Sequence, residues 1–310
     1  MNPLTHNEIR GNWATLLLSW NSDESLDYAR VASDLKTLIS MHVDGIYVNG
    51  TAGEFHSLTE DEFDQIGVLL AEHCEVVALP FQIGASHMSA QISLERLKRS
   101  VALAPAAFQV ILPDWYPATD HEAIHFLSRM AEAAEGIGLV LYNPPHAKRI
   151  LTPETMGLLA REVPSLVGVK VAAGDDAWYT SMRHHLKELS VFVPGHCLAS
   201  GFSKGAQGAY SNMACLHPGA AQCWWNSMST DLPKALELEH RIQRFMNEHI
   251  IPFIVKEEYS NAAVDRLLAH IGDWGGVGEH MRWPYRSIPR AEANRLRPIA
   301  RQVLPEFFPE

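Results

Sequence analysis

Short apolar runs, many of them rich in β-branched residues, alternate along this chain with stretches whose apolar positions recur at helical spacing. Residues 13–18, 44–50, 75–82, 107–112, 138–142, 166–174, 190–193 and 208–212 read as eight strands. Between them, residues 26–39, about 90–103 and about 121–134 carry the helical period. Two further helices announce their starts: Thr59 with Glu62 has the spacing of a capping box, and Thr152 before Pro153 fits an N-cap followed by proline at the first helical position. A strand and a helix recurring every ~25–30 residues predict an α/β fold, a (β/α)8 TIM barrel with the site on the loops after the strands. The pattern places the barrel in residues 1–228 and a helical extension of the same domain in 229–310, with helices over about 231–271 and 290–301. A doubly wound sheet is the alternative, but no GxGxxG follows the first strand.

Charge and cysteine usage narrow the partners. Acidic residues outnumber Lys and Arg by 36 to 25, which disfavours nucleic acid and anionic membrane. Residues 1–11 are polar, and no run approaches the ~18 apolar residues of a membrane span. Cys74, Cys197, Cys215 and Cys223 show no CxxC pairing and no zinc-ligand spacing, which suits a reducing compartment; the expected location is the cytoplasm. The histidines show no HExxH or comparable metal spacing.

The sixth run holds the residue that asks for an explanation. Leu166-Val167-Gly168-Val169-Lys170 places one lysine near the end of an apolar strand. An ammonium in such a setting is costly unless it is paired or gives up its proton, and a lysine that has given it up is a nucleophile towards carbonyls. The alternative is a strand-end lysine that reaches past the sheet into water. Two other strand ends are unusual: Thr51 after the second and Tyr142 at the end of the fifth. An amine, a phenol and a hydroxyl converging there would form a Schiff base and relay protons. Each also has a plainer reading: Thr51 as a loop cap, Tyr142 as a rim residue, Gly50 and Gly53 as turn formers.

The flanks of these residues decide between the readings. Gly50-Thr51-Ala52-Gly53-Glu54, Tyr142-Asn143-Pro144-Pro145, Val167-Gly168-Val169-Lys170 with Gly174-Asp175, the segment 205–212 and Arg282-Trp283-Pro284-Tyr285 resemble, in order and spacing, the motifs of the dihydrodipicolinate synthase / N-acetylneuraminate lyase family. The resemblance spans nearly the whole chain. It implies a (β/α)8 barrel with C-terminal helices, a homotetramer built as a dimer of dimers, and class I aldolase or lyase chemistry on a small 2-oxo acid. By resemblance Lys170 forms the imine with pyruvate or a pyruvate-like substrate, Tyr142 relays protons, Thr51 belongs to the relay, and the amides around Thr51 and Ala52 hold the carboxylate. The imine is itself the electron sink, so neither a metal nor an organic cofactor is expected. Gly50, Ala52, Gly53, Trp115, Tyr116, Gly195 and Tyr210 complete the expected substrate contacts.

The departures bear on the substrate. Ala52 stands where most relatives carry a second hydroxyl. Ala147 stands where the synthases place the arginine that binds the acceptor's carboxylate, with Lys148 and Arg149 one and two positions out of register. The loop after the fourth strand reads Pro113-Asp114-Trp115-Tyr116-Pro117 in place of a tyrosine pair, and His196 follows Gly195 where relatives often show aspartate. The expectation is therefore a 2-oxo acid aldolase other than the lysine-biosynthetic synthase. The alternatives are a 2-keto-3-deoxy sugar acid dehydratase and a catalytically altered binding protein. His56 and His196 are candidate contacts to a polyhydroxy or acidic substrate. A rival class rests on Gly201-Phe202-Ser203-Lys204-Gly205, which matches GxSxG; the preceding strand ends too early for a nucleophile elbow, and Ser203 is expected within a helix.

Overall fold

In the computed structural model, which describes residues 1–309, eight parallel strands pair in sequence order and close on themselves. They are β1 (Gly11–Thr15), β2 (Gly45–Val48), β3 (Phe81–Gly84), β4 (Ala107–Val110), β5 (Leu139–Tyr142), β6 (Leu166–Lys170), β7 (Ser190–Val193) and β8 (Gly208–Tyr210). The helices α1 (Tyr28–Ser40), α2 (Glu60–Val76), α3 (Ala90–Ser100), α4 (Asp120–Ala133), α5 (Pro153–Glu162), α6 (Asp176–His185) and α7 (Leu198–Ser203) lie between successive strands. After β8 come α8 (Asn212–Leu216), α9 (Pro218–Ser227), α10 (Leu232–Phe245), α11 (Ile251–Val255), α12 (Asn261–Gly272) and α13 (Arg290–Val303). This is the (β/α)8 barrel with C-terminal helices that the alternation of patterns predicts. No helix among the described residues is long and apolar enough to cross a membrane.

Local chemistry sets several of the boundaries. Thr59 and Thr119 each form a full capping box, with Glu62 and Glu122, and Thr152 accepts from the Thr155 amide ahead of Pro153. The third strand departs from expectation. Residues 75–82 read as a strand, yet α2 continues through Val76 and the strand begins at Phe81. Val76 and Val77 are 86% and 51% exposed, so this valine pair is a surface feature of the helix end. The first strand also sits earlier than the apolar run suggests: Leu16, Leu17 and Leu18 are buried in the loop after β1 rather than in the ladder. The expected helical stretch 231–271 is interrupted by a π-helical turn at Met246–Ile250 and a break after α11.

Pairing fixes which side chains enter the barrel. Tyr142 lies opposite Lys170, Lys170 opposite Phe192, and Trp13 opposite Tyr210. Because side chains alternate across a strand, Gly168 and Lys170 share the inner face of β6 while Val169 packs outward into the helices. Trp13, Tyr47, Val140, Phe192 and Tyr210 fill the lumen. Gly45 is needed opposite Trp13, since a Cβ there would fall 2.6 Å from the indole.

One buried clasp joins the loop after β2 to the C-terminal helices. Glu54, in the left-handed region at φ 50°, is fully buried and accepts from Trp20 Nε1 at 3.1 Å and from the Arg266 guanidinium on α12. Arg266 also donates to the Gly278 carbonyl at 2.7 Å. Burial raises the Glu54 carboxyl above its usual range, and Arg266 and Trp20 oppose that rise. Removing one partner of such a pair leaves the other charge buried alone. Arg266→Leu is therefore expected to cost ~3–5 kcal/mol in denaturant unfolding; a loss within error of zero would show that the clasp adds nothing to stability.

Candidate active site

Lys170 ends β6 at the C-terminal mouth of the barrel, and its Nζ lies among three aromatic rings: 4.2 Å from the centre of Tyr142 and 5.2 Å from those of Tyr47 and Tyr210. Ring faces attract a cation only modestly, and they replace water that would have solvated the ammonium far better. Burial accordingly pulls the Lys170 pKa down from 10.5 to about 8, against the opposing pull of Asp265 and Cys215. The free amine is thus far more populated near neutral pH than in an exposed lysine.

The surrounding phenols stay protonated. Burial pushes Tyr142 up to about 12, with the neighbouring Thr51 side chain opposing and Asp265 adding to the rise. Burial likewise raises Tyr47 and Tyr210. Tyr142 is therefore a neutral hydroxyl beside Lys170, able to give and recover a proton without holding a charge. Thr51 and Ala52 sit in the turn that follows β2, and both line the same cavity. Their backbone N–H groups donate to no acceptor among the described residues.

The cavity measures about 450 Å³ and opens above Lys170. Of the residues singled out in the sequence, the structure brings Lys170, Tyr142, Thr51, Ala52, Tyr210 and His196 to its wall. It does not bring Gly50, Gly53, Trp115, Tyr116, Gly195 or His56 there. Gly50 backs onto the Tyr47 ring, Gly53 onto the Asn49 amide, and Gly195 onto the Ser211 hydroxyl. Trp115 and Tyr116 are 81% and 84% exposed on the loop after β4. His56 stacks edge-on against Tyr285, 4.9 Å between ring centres. Lys148 and Arg149 are occupied elsewhere, on the Trp115 carbonyl and on Ala118 with Asp120. Ser203 closes α7 with its hydroxyl on the Ser200 carbonyl, which removes the basis for a serine hydrolase.

Several wall residues escaped the sequence reading, Tyr47 and Asp265 among them. Asp265, on α12, faces the cavity and carries no hydrogen bond or ion pair among the described residues. Burial raises its carboxyl pKa to about 7, and Lys170 opposes the rise. His196 donates its backbone N–H to Asn212 Oδ1 at 3.1 Å, and its Nδ1 lies 2.9 Å from Asn212 Nδ2; burial lowers its pKa, so it is neutral at physiological pH. No group of three or more His, Cys, Asp or Glu side chains among the described residues is placed to hold a metal ion.

A lysine with a lowered pKa stands beside a deep cavity at the C-terminal mouth of a (β/α)8 barrel, the face on which such barrels carry their active sites. Comparison of sequences is more specific: residues 8–303 match the model of the Dihydrodipicolinate synthetase family, and the chain belongs to that family. Its members are lyases of the class I aldolase type, and this protein is accordingly a lyase. The chain is 24% identical to an N-acetylneuraminate lyase of Rhizobium meliloti, over 96% of both chains. It is 30% identical to a 4-hydroxy-tetrahydrodipicolinate synthase of Exiguobacterium, over 61% of this chain and 64% of that one, so just under two thirds of that relative is spanned. Among solved structures, a prophage protein of the dihydrodipicolinic acid synthase family from E. coli K12, solved in complex with pyruvate, superposes with a TM-score of 0.84 at 20% identity, covering 95% of this chain and 98% of that one. At that identity the superposition shows the fold.

Acylation of Lys170 by an amine-directed reagent, followed by peptide mass, should rise through a midpoint near pH 8 rather than 10.5. Asp265 favours the ammonium, so Asp265→Asn should move that midpoint to lower pH. A midpoint that stays put or climbs would contradict the coupling.

Proposed function

We propose that this lyase acts on pyruvate or a pyruvate-derived 2-oxo acid through an imine on Lys170, cleaving or forming the bond between C3 and C4. The observation that carries this reading is the desolvated amine of Lys170, with the Tyr142 phenol beside it and two unpartnered amides at Thr51 and Ala52 on the same cavity wall. The amides receive the substrate carboxylate, which sets the neighbouring C2 carbonyl towards the amine.

The free amine adds to C2, the resulting carbinolamine loses water, and a cationic imine forms. In the cleavage direction the C4 hydroxyl gives up its proton and the C3–C4 electron pair moves into the imine. An enamine remains and an aldehyde departs. Protonation of the enamine at C3 and hydrolysis of the imine return pyruvate and the lysine. Tyr142 carries the proton at the carbinolamine and hydroxyl stages, and Thr51 relays it. The imine removes the need for a free carbanion, so the protein's own residues suffice and the reading calls for no metal or organic cofactor. A dehydratase of the same imine would lose water from C4 of the substrate; no feature of the cavity favours it over cleavage.

The wider setting is read in the same way. The free cysteines and the absence of a membrane-crossing helix among the described residues support a cytoplasmic enzyme. The exposed Trp115 and Tyr116 support a homotetramer, in which an interface would cover them.

Borohydride added with pyruvate should leave a single covalent adduct on Lys170, located by peptide mass; an unmodified protein with every 2-oxo acid tried would defeat the proposal. Lys170→Ala should abolish both trapping and turnover with the thermal unfolding transition retained. Tyr142→Phe should reduce turnover by about 10²–10⁴-fold while slowing adduct formation much less; equal losses in the two would remove Tyr142 from the relay.

A further inference from the structure

The cavity is far larger than pyruvate, and its outer part is built from a different portion of the chain than its floor. Val193, Met246, Ile250, Ile251, Ile254 and Val264 line it, most of them from the C-terminal helices. The π-helical turn at Met246–Ile250 contributes both of its end residues to this wall. Such turns often mark functional sites.

The charges in the cavity are equally distinctive. Lys170 is the one lysine or arginine on its wall, and its charge, as ammonium or as cationic imine, stays at the 2-oxo acid head. His196 is held neutral by burial. Lys148 and Arg149 are bound to the loop after β4, and Arg282 is paired with Glu62 outside the cavity. The one acidic group on the wall is Asp265, which lacks any cation within ion-pairing distance among the described residues. A substrate bearing a second carboxylate would bring it beside Asp265, a partly ionised carboxyl, with no arginine or second lysine on the wall to pair it. A polyhydroxylated tail would find partners in Ser211, Asn212 and Asn261 but would set its other hydroxyls against Met246, Ile250, Ile251 and Ile254, which cannot pair them.

We propose that the cavity selects 2-oxo acids whose tail is uncharged and apolar, an aliphatic or aryl group, and that Asp265 is the group that excludes a second carboxylate. The inference rests on the imine-forming reading of Lys170 and deepens it to the substrate class. Apolar tails bury against the outer wall, while the 2-oxo acid head keeps its place at Lys170 and the Thr51 turn.

The test compares the rate of borohydride-trapped adduct formation on Lys170 for pyruvate, 2-oxo-4-phenylbutanoate, 2-oxoglutarate and 2-keto-3-deoxygluconate at subsaturating concentration. The aryl acid should exceed 2-oxoglutarate by about 100-fold, and the polyhydroxylated acid by at least about 10-fold. In Asp265→Asn the ratio of aryl acid to 2-oxoglutarate should fall by about 10-fold. Ile254→Arg, which supplies a cation at the outer wall, should lower the same ratio without depending on Asp265. Pyruvate trapped normally together with 2-oxoglutarate or the sugar acid as the preferred partner would overturn this inference alone. Unchanged ratios in both variants would remove Asp265 and the outer wall from selectivity. No adduct with any of the four acids would overturn the imine reading as well, and pyruvate is the arm that separates the two failures.

Discussion

The cost of keeping an ammonium away from water organises this molecule. Lys170 is not paired with a carboxylate at contact distance, and the rings of Tyr47, Tyr142 and Tyr210 offer it only weak attraction. What remains is a lowered pKa, which brings the uncharged amine within reach of neutral pH. The barrel supplies that shift by geometry. Pairing of β5, β6 and β7 sets the lysine on the inner face, and Phe192 and Trp13 beneath it close the lumen to solvent. Were the strand register one residue different, Lys170 would point among the helices and Val169 would occupy the mouth.

The floor of the site was readable from the chain because it consists of strand ends. Lys170 and Tyr142 close short apolar runs, and a polar or aromatic residue at the end of such a run is conspicuous in a barrel pattern. Family motifs then gave Thr51 its place. The wall was not readable, because it belongs to helices whose sequences look ordinary. Asp265 lies in Asn-Ala-Ala-Val-Asp-Arg-Leu-Leu, where an acidic residue beside an arginine suggests a solvated ion pair. In the structure the two side chains part: Arg266 turns to Glu54 and Asp265 to the cavity. Trp115 and Tyr116 are placed differently from their expected role. Their position after β4 suggested substrate contact, yet a single chain holds them on its surface. The third strand slipped because Val76 and Val77 mimic a strand start while sitting at an exposed helix end.

The clasp between Glu54 and Arg266 ties these two parts together. Glu54 follows directly on the turn that carries Thr51 and Ala52, and Arg266 is adjacent in sequence to Asp265. One buried contact therefore locates the Thr51–Ala52 turn and the acidic wall residue relative to each other. That arrangement explains why a left-handed glutamate is tolerated at φ 50°: its fully buried carboxylate is held from two directions, by Trp20 and by Arg266.

The order of synthesis gives the clasp a further meaning. A nascent chain that has emerged only as far as β8 already contains Lys170, Tyr142 and Thr51, and all eight staves of the barrel. It lacks α12, so Glu54 keeps Trp20 but not Arg266, and the cavity above the lysine lacks the wall that α12 supplies. In that state the amine would hold its proton and be a poor nucleophile. The setting that shifts Lys170 is thus completed only with the last helices, and a half-made or clipped molecule would hold an ordinary, hydrated lysine in its place.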